Sequence, residues 1–357
     1  MGLRIKRQRN LPIGVDLGTS SLKMAQLRAG DGRVELLAAA SAELGDSGGD
    51  AGARLGLQAD RARDLLKSSG FKGRQVILSL PASAVFLQPV RTPALPPGEV
   101  DTAVRQELQE RLPYPLEEAI IRHVLAGPVY GEREKLQERI VVSARRGELE
   151  GYVSAARRAG LDVVGVSAEA CALVSCFSRL FRRASDESRI TLFIDIGWAS
   201  TQVVLMRGQK MIFASNLAAG GRSLDAAVAG ALRIAPEKAR TIRRQASGDA
   251  AGEAAAADLL KLLEGQIAGM AATINHCLRY YESTFGSHPV ERVVFIGGQA
   301  HDRRLCQAVA ERLNLPAQVG DPMAGIRRRS GGGPDARSPQ PAWAVAVGLS
   351  LGAAEAA

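Results

Sequence analysis

The stretches IGVDLGTSSLK (13–23) and FIDIGWASTQVVL (193–205) share a pattern, in which an apolar strand ends in an Asp-x-Gly turn and a second strand follows. A third strand comes next in both places, at RVELLAAA (33–40) and KMIFASNL (210–217). Self-similarity of this kind is the sequence signature of an internal structural repeat. We therefore predict a duplicated α/β fold with the two Asp-x-Gly hairpins at equivalent positions.

The composition is that of a globular protein. The chain has 357 residues, 46% hydrophobic and 23% charged, which is enough to build cores in roughly two to three domains. No apolar stretch reaches the ~18 residues that span a bilayer, and we expect no secretory signal, because no apolar region follows the basic N-terminus. The cysteines and histidines lack metal-binding spacing. The net charge of +9 favours acidic partners, but the basic clusters are scattered and have no interleaved aromatic residues, so we expect no nucleic acid partner.

Between the repeats the sequence predicts a small α+β unit. A strand at 84–90 leads to TPALPP (92–97), whose prolines are expected to block sheet pairing. Residues 99–112 then have the apolar spacing of an amphipathic helix, which Pro113 would end. The remaining predicted elements of this unit are two strands (119–126 and 138–144) and a helix (147–159).

Three further segments complete the expected organisation. Residues 43–58 are rich in Gly and Ala and are predicted to form a loop before a short helix. Late in the chain, a long helix carries an apolar stripe typical of a core-facing helix, formed by Leu263, Ile267, Met270, Ile274, Leu278, Tyr281 and Phe285. The segment 330–341 has the composition of a flexible linker.

The paired hairpins predict a phosphate and metal site. Asp16 and Asp195 end equivalent strands, so across a cleft they would hold Mg²⁺, mostly through water molecules. Small residues in the turns let backbone N–H groups wrap phosphate oxygens. Lys23 lies on the same face of its strand as Ser21 and could reach a phosphate. The other turn residues assigned to this site are Gly18, Thr19, Ser20, Gly197 and Thr201.

Two glycine pairs are weaker candidates. Gly297, Gly298 and Gln299 follow a buried strand and precede a helix, where glycine allows close approach to a base or a phosphate. Gly220 and Gly221 stand at another strand-to-helix junction, and ligand contact and a simple helix-entry turn are equally good interpretations. The GxxxxGK[ST] pattern of a P-loop is absent from the sequence.

Together these motifs resemble the superfamily of actin, the sugar kinases and Hsp70. Within it, nearly the whole chain resembles the PilM family of type IV pilus assembly. The most specific segment is VILSLPASAVFLQPVRTPALPPGEVDTAVRQELQERLPYPLEEA (76–119), and further similar segments are AARRAGLDVVGVSAEACAL (155–173), LAAGGRSLDAAVA (217–229), FIGGQA (295–300) and WAVAVGLSLG (343–352).

The resemblance implies an actin-like (ribonuclease H-like) ATPase fold that binds ATP and Mg²⁺ between two duplicated domains. Subdomain 1A would comprise residues 1–85, completed by 157–188 and a C-terminal helix at 342–357. An inserted subdomain of the FtsA 1C type would be 86–156, and domain 2 would be 189–341. The adenosine of ATP would lie near residues 297–299.

The resemblance also implies a partner. PilM-like proteins hold the cytoplasmic N-terminal tail of the inner-membrane protein PilN beside subdomain 1C. Here the strands predicted to be exposed, with Val85, Phe86, Leu87, Ile120 and Ile121, lie near an acidic helix with Glu107, which would suit an extended basic peptide. The expected location is the cytoplasm, at the inner membrane through this partner, and platform or motor proteins and further copies of the chain are additional expected partners.

The chain also departs from the family pattern. Arg240 and Arg243 stand where an acidic residue and a lysine are usual, Trp198 replaces a small residue in the second hairpin, and Ser167 replaces an acidic residue. We therefore expect ATP hydrolysis to be weak or absent. Three alternatives remain open at this point: a scaffold of a type II secretion system that binds no nucleotide, a small-molecule kinase, and a self-polymerising filament.

Overall fold

The structure is a computed structural model and describes residues 9–30, 32–44, 51–129, 135–247, 253–286, 288–328 and 333–355. Parts of the predicted loop 43–58 and of the linker 330–341 lie outside these ranges. Among the described residues, every helix is too short or too polar to cross a bilayer. The four cysteines are free, and all but the half-buried Cys171 are buried, as the sequence predicts.

The first part of the chain forms the first predicted repeat. Its elements are β1 (Arg9–Asn10), β2 (Ile13–Leu17), β3 (Ser21–Gly30), β4 (Arg33–Glu43), α1 (Ala51–Ser68) and β5 (Gln75–Leu80). The predicted inserted unit follows, as β6 (Phe86–Pro93), α2 (Pro97–Leu108), β7 (Ala119–Pro128), β8 (Leu136–Arg145) and α3 (Arg146–Arg158).

The rest of the chain returns to the first repeat and then forms the second. The returning elements are β9 (Asp162–Ala168) and α4 (Glu169–Phe177). The second repeat consists of β10 (Ile190–Ile196), β11 (Thr201–Arg207), β12 (Lys210–Leu217), α5 (Gly221–Leu232), α6 (Pro236–Ala246), α7 (Glu253–Phe285), β13 (Val290–Ile296), α8 (Arg303–Leu313) and β14 (Ala317–Val319). The last elements are β15 (Arg327–Arg328) and α9 (Ala344–Glu355).

The sheet topology confirms the duplication. The first sheet has the strand order β4-β3-β2-β5-β9, and the second has β12-β11-β10-β13-β14. In both, the first three strands are antiparallel neighbours, and the last two run parallel to the strand that carries the Asp-x-Gly motif. The first sheet is extended by β1 and by β15, which lies in the range assigned to domain 2 yet pairs with β4.

Two helices join the halves. Helix α9 packs on β2, β3 and β5, and α4 packs against α9. The contacts are close, because a Cβ at Gly348 would overlap the Ala172 carbonyl oxygen and a Cβ at Gly14 would overlap the Ala346 carbonyl oxygen. On the side of the second sheet, the apolar stripe of α7 is buried as predicted. These contacts hold the two hairpins at fixed positions.

Three local predictions were wrong. Helix α1 begins at Ala51, within the predicted loop, since its Ala, Leu and Arg residues are good helix formers. Pro89 and Pro93 lie within β6 and pair in register with β8, because β6 is an edge strand and needs N–H groups on one side only. Helix α2 ends at Leu108, four residues before the predicted end, and turns lead to Pro113.

The inserted unit is a three-stranded sheet, β6-β8-β7, covered on one face by α2. Its other face packs against β12 of the second repeat, and the carboxylate of the fully buried Glu138 accepts hydrogen bonds from Tyr280 of α7 (2.5 Å) and Arg91 (3.3 Å). Helix α3, by contrast, packs on α1 of the first repeat. The inserted unit therefore touches both halves of the molecule.

Candidate functional site

The two hairpins face each other across a narrow inner cavity of about 90 Å³. Most of the predicted site residues line it: Asp16, Gly18, Thr19, Ser20, Ser21, Lys23, Asp195, Gly197, Gly297, Gly298 and Gln299. The cavity lies at the ends of β2 and β10, which are equivalent strands of the two sheets. The duplication thus creates one shared site at the centre of the molecule.

The two hairpin turns have matching backbone geometry. A Cβ at Gly18 would lie 2.6 Å from the Ser21 carbonyl oxygen, and one at Gly197 would lie 2.9 Å from the Ser200 carbonyl oxygen. Both distances are too short for a side chain, so both turns need glycine. Gln58 of α1 supports the first turn by donating its amide to the carbonyl oxygens of Leu17 (3.1 Å) and Gly18 (3.0 Å). Gln58 was not found from the sequence, because its segment was predicted to be a loop.

Three carboxyl groups gather in the inner cavity. Asp16, Asp195 and Glu169, the first residue of α4, all line it. Burial raises the pKa of Asp16, and burial together with the Asp16 charge raises the pKa of Asp195 to about 7. Burial, then the charges of Asp16 and Asp195, raise the pKa of Glu169 well above its ordinary value. Carboxylates that share a buried site raise one another's pKa values, so a cationic ligand would stabilise their charged forms.

Glu169 resolves one departure from the family pattern. Ser167 donates to the Ala168 carbonyl oxygen, and the acidic group that faces the aspartates comes two residues later in the chain. The sequence feature that could have identified Glu169 is an acidic residue at the first position of a helix that follows a buried strand. Lys23 lies among these carboxyl groups as expected, with its Nζ 2.7 Å from Ser21 Oγ and 3.9 Å from Asp16 Oδ2.

A hydrated divalent cation fits this cavity better than a directly bound one. Within the described ranges, no group of three His, Cys, Asp or Glu side chains is arranged to hold a metal ion. The buried Oε1 of Gln202, in the cavity wall, has no hydrogen-bond partner among the described residues. Such an acceptor suits a water molecule, and Mg²⁺ usually keeps several of its waters in protein sites.

The third motif closes the cavity from the side of β13. Gly297 has a φ of +88°, and a Cβ there would overlap Asp195 Oδ1, so only glycine fits beside that carboxylate. A Cβ at Gly298 would meet no atom within 4 Å. Gly297 is thus required by Asp195, while Gly298 leaves open space for a ligand.

Three of the predicted site residues, Thr201, Gly220 and Gly221, line neither the inner nor the outer cavity. Thr201 is fully buried and donates its hydroxyl to the Ala219 carbonyl oxygen at 2.7 Å, so it stabilises the protein interior. Gly220 packs against the second hairpin, because a Cβ added to Gly220 would lie only 2.8 Å from the Gly197 carbonyl oxygen. The N–H of Gly221 donates to the same oxygen at 3.0 Å. These contacts favour the helix-entry interpretation of this glycine pair.

The inner cavity opens into a larger outer cavity of about 500 Å³. Its size lies in the range of small-molecule sites. Trp198, Arg240, Gln299 and Glu43 contribute to its wall, and so do Ser338, Pro339 and Pro341 from the end of the predicted linker. The linker is therefore part of the site, and the Pro341 carbonyl oxygen accepts the N–H of Gly297 at 3.1 Å.

A buried polar network supports the outer cavity. Asp225 Oδ1 accepts from Arg243 Nη1 at 2.5 Å, and its Oδ2 accepts from Trp198 Nε1 at 3.2 Å. Arg243 Nη2 donates to Gln299 Oε1 at 2.8 Å. Arg243 is 4% exposed, so it is a structural residue and not a free cation for adenine or phosphate. The hydrogen bond to Asp225 holds the Trp198 ring in the wall of both the inner and the outer cavity.

An ion pair crosses the mouth of the outer cavity. Glu43 at the end of β4 lies 3.5 Å from Arg240 and 3.3 Å from Arg244, both on α6. Arg240 also lies over the Trp198 ring, 5.7 Å from its centroid. Glu43 belongs to the first sheet and α6 to the second repeat, so this pair bridges the two halves of the molecule.

The predicted partner residues are only partly accessible. Leu87 is buried in the main core, so its predicted exposure was wrong. Phe86 and Ile121 are half-buried under α2, and Val85 and Ile120 are also half-buried, whereas Glu107 is exposed and pairs with Arg111 at 3.2 Å. Sequence reasoning missed Val124 and Leu125 of the edge strand β7, which are 41% and 46% exposed.

The model of one protein family matches nearly the whole chain. That family is described as "Type IV pilus assembly protein PilM", and the match spans residues 14–354. This chain belongs to the PilM family. In PilM proteins of known structure the same fold recurs: a PilM–PilN type IV pilus biogenesis complex contains a chain that is 23% identical, with a TM-score of 0.81 over 96% of this chain and 98% of that one.

Two more distant structures support the actin-like fold of this PilM family member. The ethanolamine utilization protein EutJ from Carboxydothermus hydrogenoformans is 16% identical, with a TM-score of 0.55 over 96% of this chain and 89% of that one. MreB5 of Spiroplasma citri, solved with ADP bound, is 12% identical, with a TM-score of 0.50 over 95% of this chain and 94% of that one. The predicted duplicated actin-like fold is therefore confirmed.

Proposed function

We propose that this PilM family member is a nucleotide-binding adaptor of type IV pilus assembly. It binds ATP with Mg²⁺ in the cleft and holds the N-terminal tail of a PilN-like inner-membrane protein. The observation that carries the proposal is the pair of hairpins with Asp16 and Asp195 on opposite walls of one cavity. A scaffold without nucleotide would have no need to keep three buried carboxyl groups together at a cost in stability.

The inner cavity has the parts that a magnesium phosphate group requires. Asp16 and Asp195 would hold the hydrated cation, and Lys23 with the turn backbone would face phosphate oxygens. When bound, the cation neutralises the carboxylate charges and those of the phosphates. The residues of this chain would orient the nucleotide and exclude water, because α9 and the two hairpins enclose the cavity.

The outer cavity would hold the nucleoside. The guanidinium of Arg240, which lies over the Trp198 ring, offers a flat surface for a purine, and Gly298 leaves room in the same cavity. Glu43, which pairs with Arg240 at the mouth, comes from the opposite half of the molecule. A nucleoside at this position would therefore contact both halves at once, as expected for a cleft that responds to its ligand.

The partner surface would lie on the inserted unit. One solved relative was determined as a PilM–PilN complex, which supports a PilN-like partner here. The free edge of β7, with half-buried Ile120 and exposed Val124, suits an extended peptide that adds a strand. Exposed Glu107 on α2 adds negative charge for a basic peptide. Attachment to the cytoplasmic side of the inner membrane would follow from this partner.

Peptide titration tests the partner assignment. A synthetic peptide from the N-terminus of the PilN-like inner-membrane protein would be titrated into the whole chain and into Val124→Asp, Glu107→Lys and Asp60→Lys variants. We expect micromolar binding, weakened about tenfold or more by Val124→Asp and severalfold by Glu107→Lys at low salt. Asp60 is exposed on α1, outside β7 and α2, so Asp60→Lys is the matched control and should leave the peptide affinity unchanged. Equal affinity in all variants would contradict the assignment.

A further inference from the structure

Three polar side chains form a row across three strands of the second sheet. Asp195 on β10 is the cross-strand neighbour of Gln202 on β11, and Gln202 is the neighbour of Asn216 on β12. Directly opposed residues in a sheet point to the same face. The row therefore starts at the inner cavity and runs toward the edge strand of the sheet.

Hydrogen bonds continue this row to the first half of the molecule. Gln202 Nε2 donates to Asn216 Oδ1 at 2.7 Å, and Asn216 Nδ2 points at the Ala82 carbonyl oxygen at 3.5 Å. Ala82 begins the 3₁₀ turn that leads into β6. The two amides thus link the cavity wall to the start of the inserted unit.

The carbonyl of Ala82 fixes the orientation of both amides. A backbone carbonyl only accepts hydrogen bonds, so Asn216 must turn its NH₂ toward Ala82 and its oxygen toward Gln202. Gln202 must then present its NH₂ to Asn216, which leaves its oxygen at the cavity end. That oxygen is the buried Oε1 that has no partner among the described residues. Gln202 is 4% exposed, so bulk water does not satisfy it.

An acceptor at this position selects what the cavity can hold. Phosphate oxygens and ionised carboxylates cannot donate a hydrogen bond. Lys23, the cation in the inner wall, donates to Ser21 instead. A water molecule in the shell of a divalent cation is a donor and fits this acceptor, whereas a bare phosphate group would face an unfavourable contact with Oε1.

We propose that Asn216 is a positioning residue: by holding the Gln202 amide with its oxygen toward the inner cavity, it makes the site take a nucleotide with its hydrated cation in preference to a metal-free nucleotide. This inference rests on the proposed nucleotide binding and adds the residue that sets its metal dependence. Asn216 acts through Gln202 and contacts no ligand itself.

The test compares ATP affinity in Mg²⁺ with ATP affinity in EDTA. The wild-type chain should bind ATP about tenfold or more tightly with Mg²⁺, because the cation supplies the donor that Oε1 lacks. In Asn216→Leu, Gln202 loses its acceptor partner and can turn its NH₂ toward phosphate. Metal-free binding should then strengthen, and the ratio should fall to about threefold or less. Asn216→Asp keeps an oxygen facing Gln202, and its added negative charge also favours the cation, so the ratio should not fall below the wild-type value.

The outcomes separate this inference from the proposed function. If the wild-type chain binds ATP under neither condition, nucleotide binding itself is wrong and the inference falls with it. If the wild-type chain binds ATP but Asn216→Leu keeps the full metal dependence, the positioning role alone is overturned. Asn216→Ala serves as a second variant should the leucine perturb folding, which circular dichroism would reveal, and it carries the same expectation.

Discussion

Asp225 and Arg243 form an ion pair beneath the outer cavity, with 2.5 Å between Oδ1 and Nη1 and with both residues at most 4% exposed. Breaking such a pair leaves an unpaired buried charge, so we expect Asp225→Asn to lower the free energy of unfolding by about 3 kcal/mol or more. Urea denaturation measures this. Asp258→Asn, at an exposed pair with Lys261, should change it by less than about 1 kcal/mol. Similar small losses in both variants would contradict the role of the network.

Gly297→Ala should both destabilise the chain and disturb the site. A Cβ there overlaps Asp195 Oδ1, and the backbone lies in the left-handed region. Strain of this kind costs on the order of 1–3 kcal/mol, and displacing the carboxylate should weaken Mg-ATP binding. The neighbouring Gly298→Ala is the matched control, since its Cβ meets no atom within 4 Å and should leave thermal stability nearly unchanged. Equal melting temperatures for the two variants would show that Asp195 tolerates a side chain at 297.

The carboxyl cluster predicts a pH dependence of the ligand-free protein. The pKa of Asp195 is about 7 in the folded state and 3.8 as the ordinary value. Between these values the folded state holds a proton that the unfolded state has lost, so the free energy of unfolding should decrease as pH rises from about 4 to 7. Asp195→Asn should reduce this slope, to which Asp16 and Glu169 also contribute through their raised pKa values, and it should raise the melting temperature at pH 8 more than at pH 5. An unchanged slope in the variant would assign the titration to other groups.

Slow hydrolysis is expected from the state of Glu169. Burial and two nearby carboxylates raise its pKa well above the ordinary value, which favours the protonated form in the ligand-free protein, and a protonated carboxyl group cannot accept a proton from water. Steady-state turnover of ATP should therefore stay well below the enzyme median of about 10 s⁻¹. Glu169→Gln, which mimics the protonated acid, should retain the folding stability of the wild-type chain at pH 7. Turnover near the median in the wild-type chain would refute this expectation.

The repeat and most of the inner cavity could be predicted because they depend on local pattern. An apolar strand followed by Asp-x-Gly is visible in ten residues, and its recurrence at 13–23 and 193–205 predicted which residues would meet. Asp16, Lys23 and Asp195 were found in this way. The stripe of α7 was predicted correctly because helical periodicity is also local.

The remaining site residues depend on contacts between distant segments. Gln58 supports a turn forty residues away, and Arg243 became structural only through Asp225 and Gln299. Nothing in the spacing of these residues predicts such partners. The burial of Leu87 has the same origin, because it results from the packing of the inserted unit on the second repeat.

Calorimetric titration of ATP with Mg²⁺ tests whether the nucleotide binds between the two hairpins. The wild-type chain, Asp16→Ala and the surface control Asp258→Ala would be compared, with thermal melting to verify folding of each. Wild type and control should bind ATP alike, and Asp16→Ala should lose about tenfold or more in affinity, because one of the two facing carboxylates proposed to hold the hydrated cation is gone. Equal ATP affinity in wild type and Asp16→Ala would contradict nucleotide binding between the two hairpins.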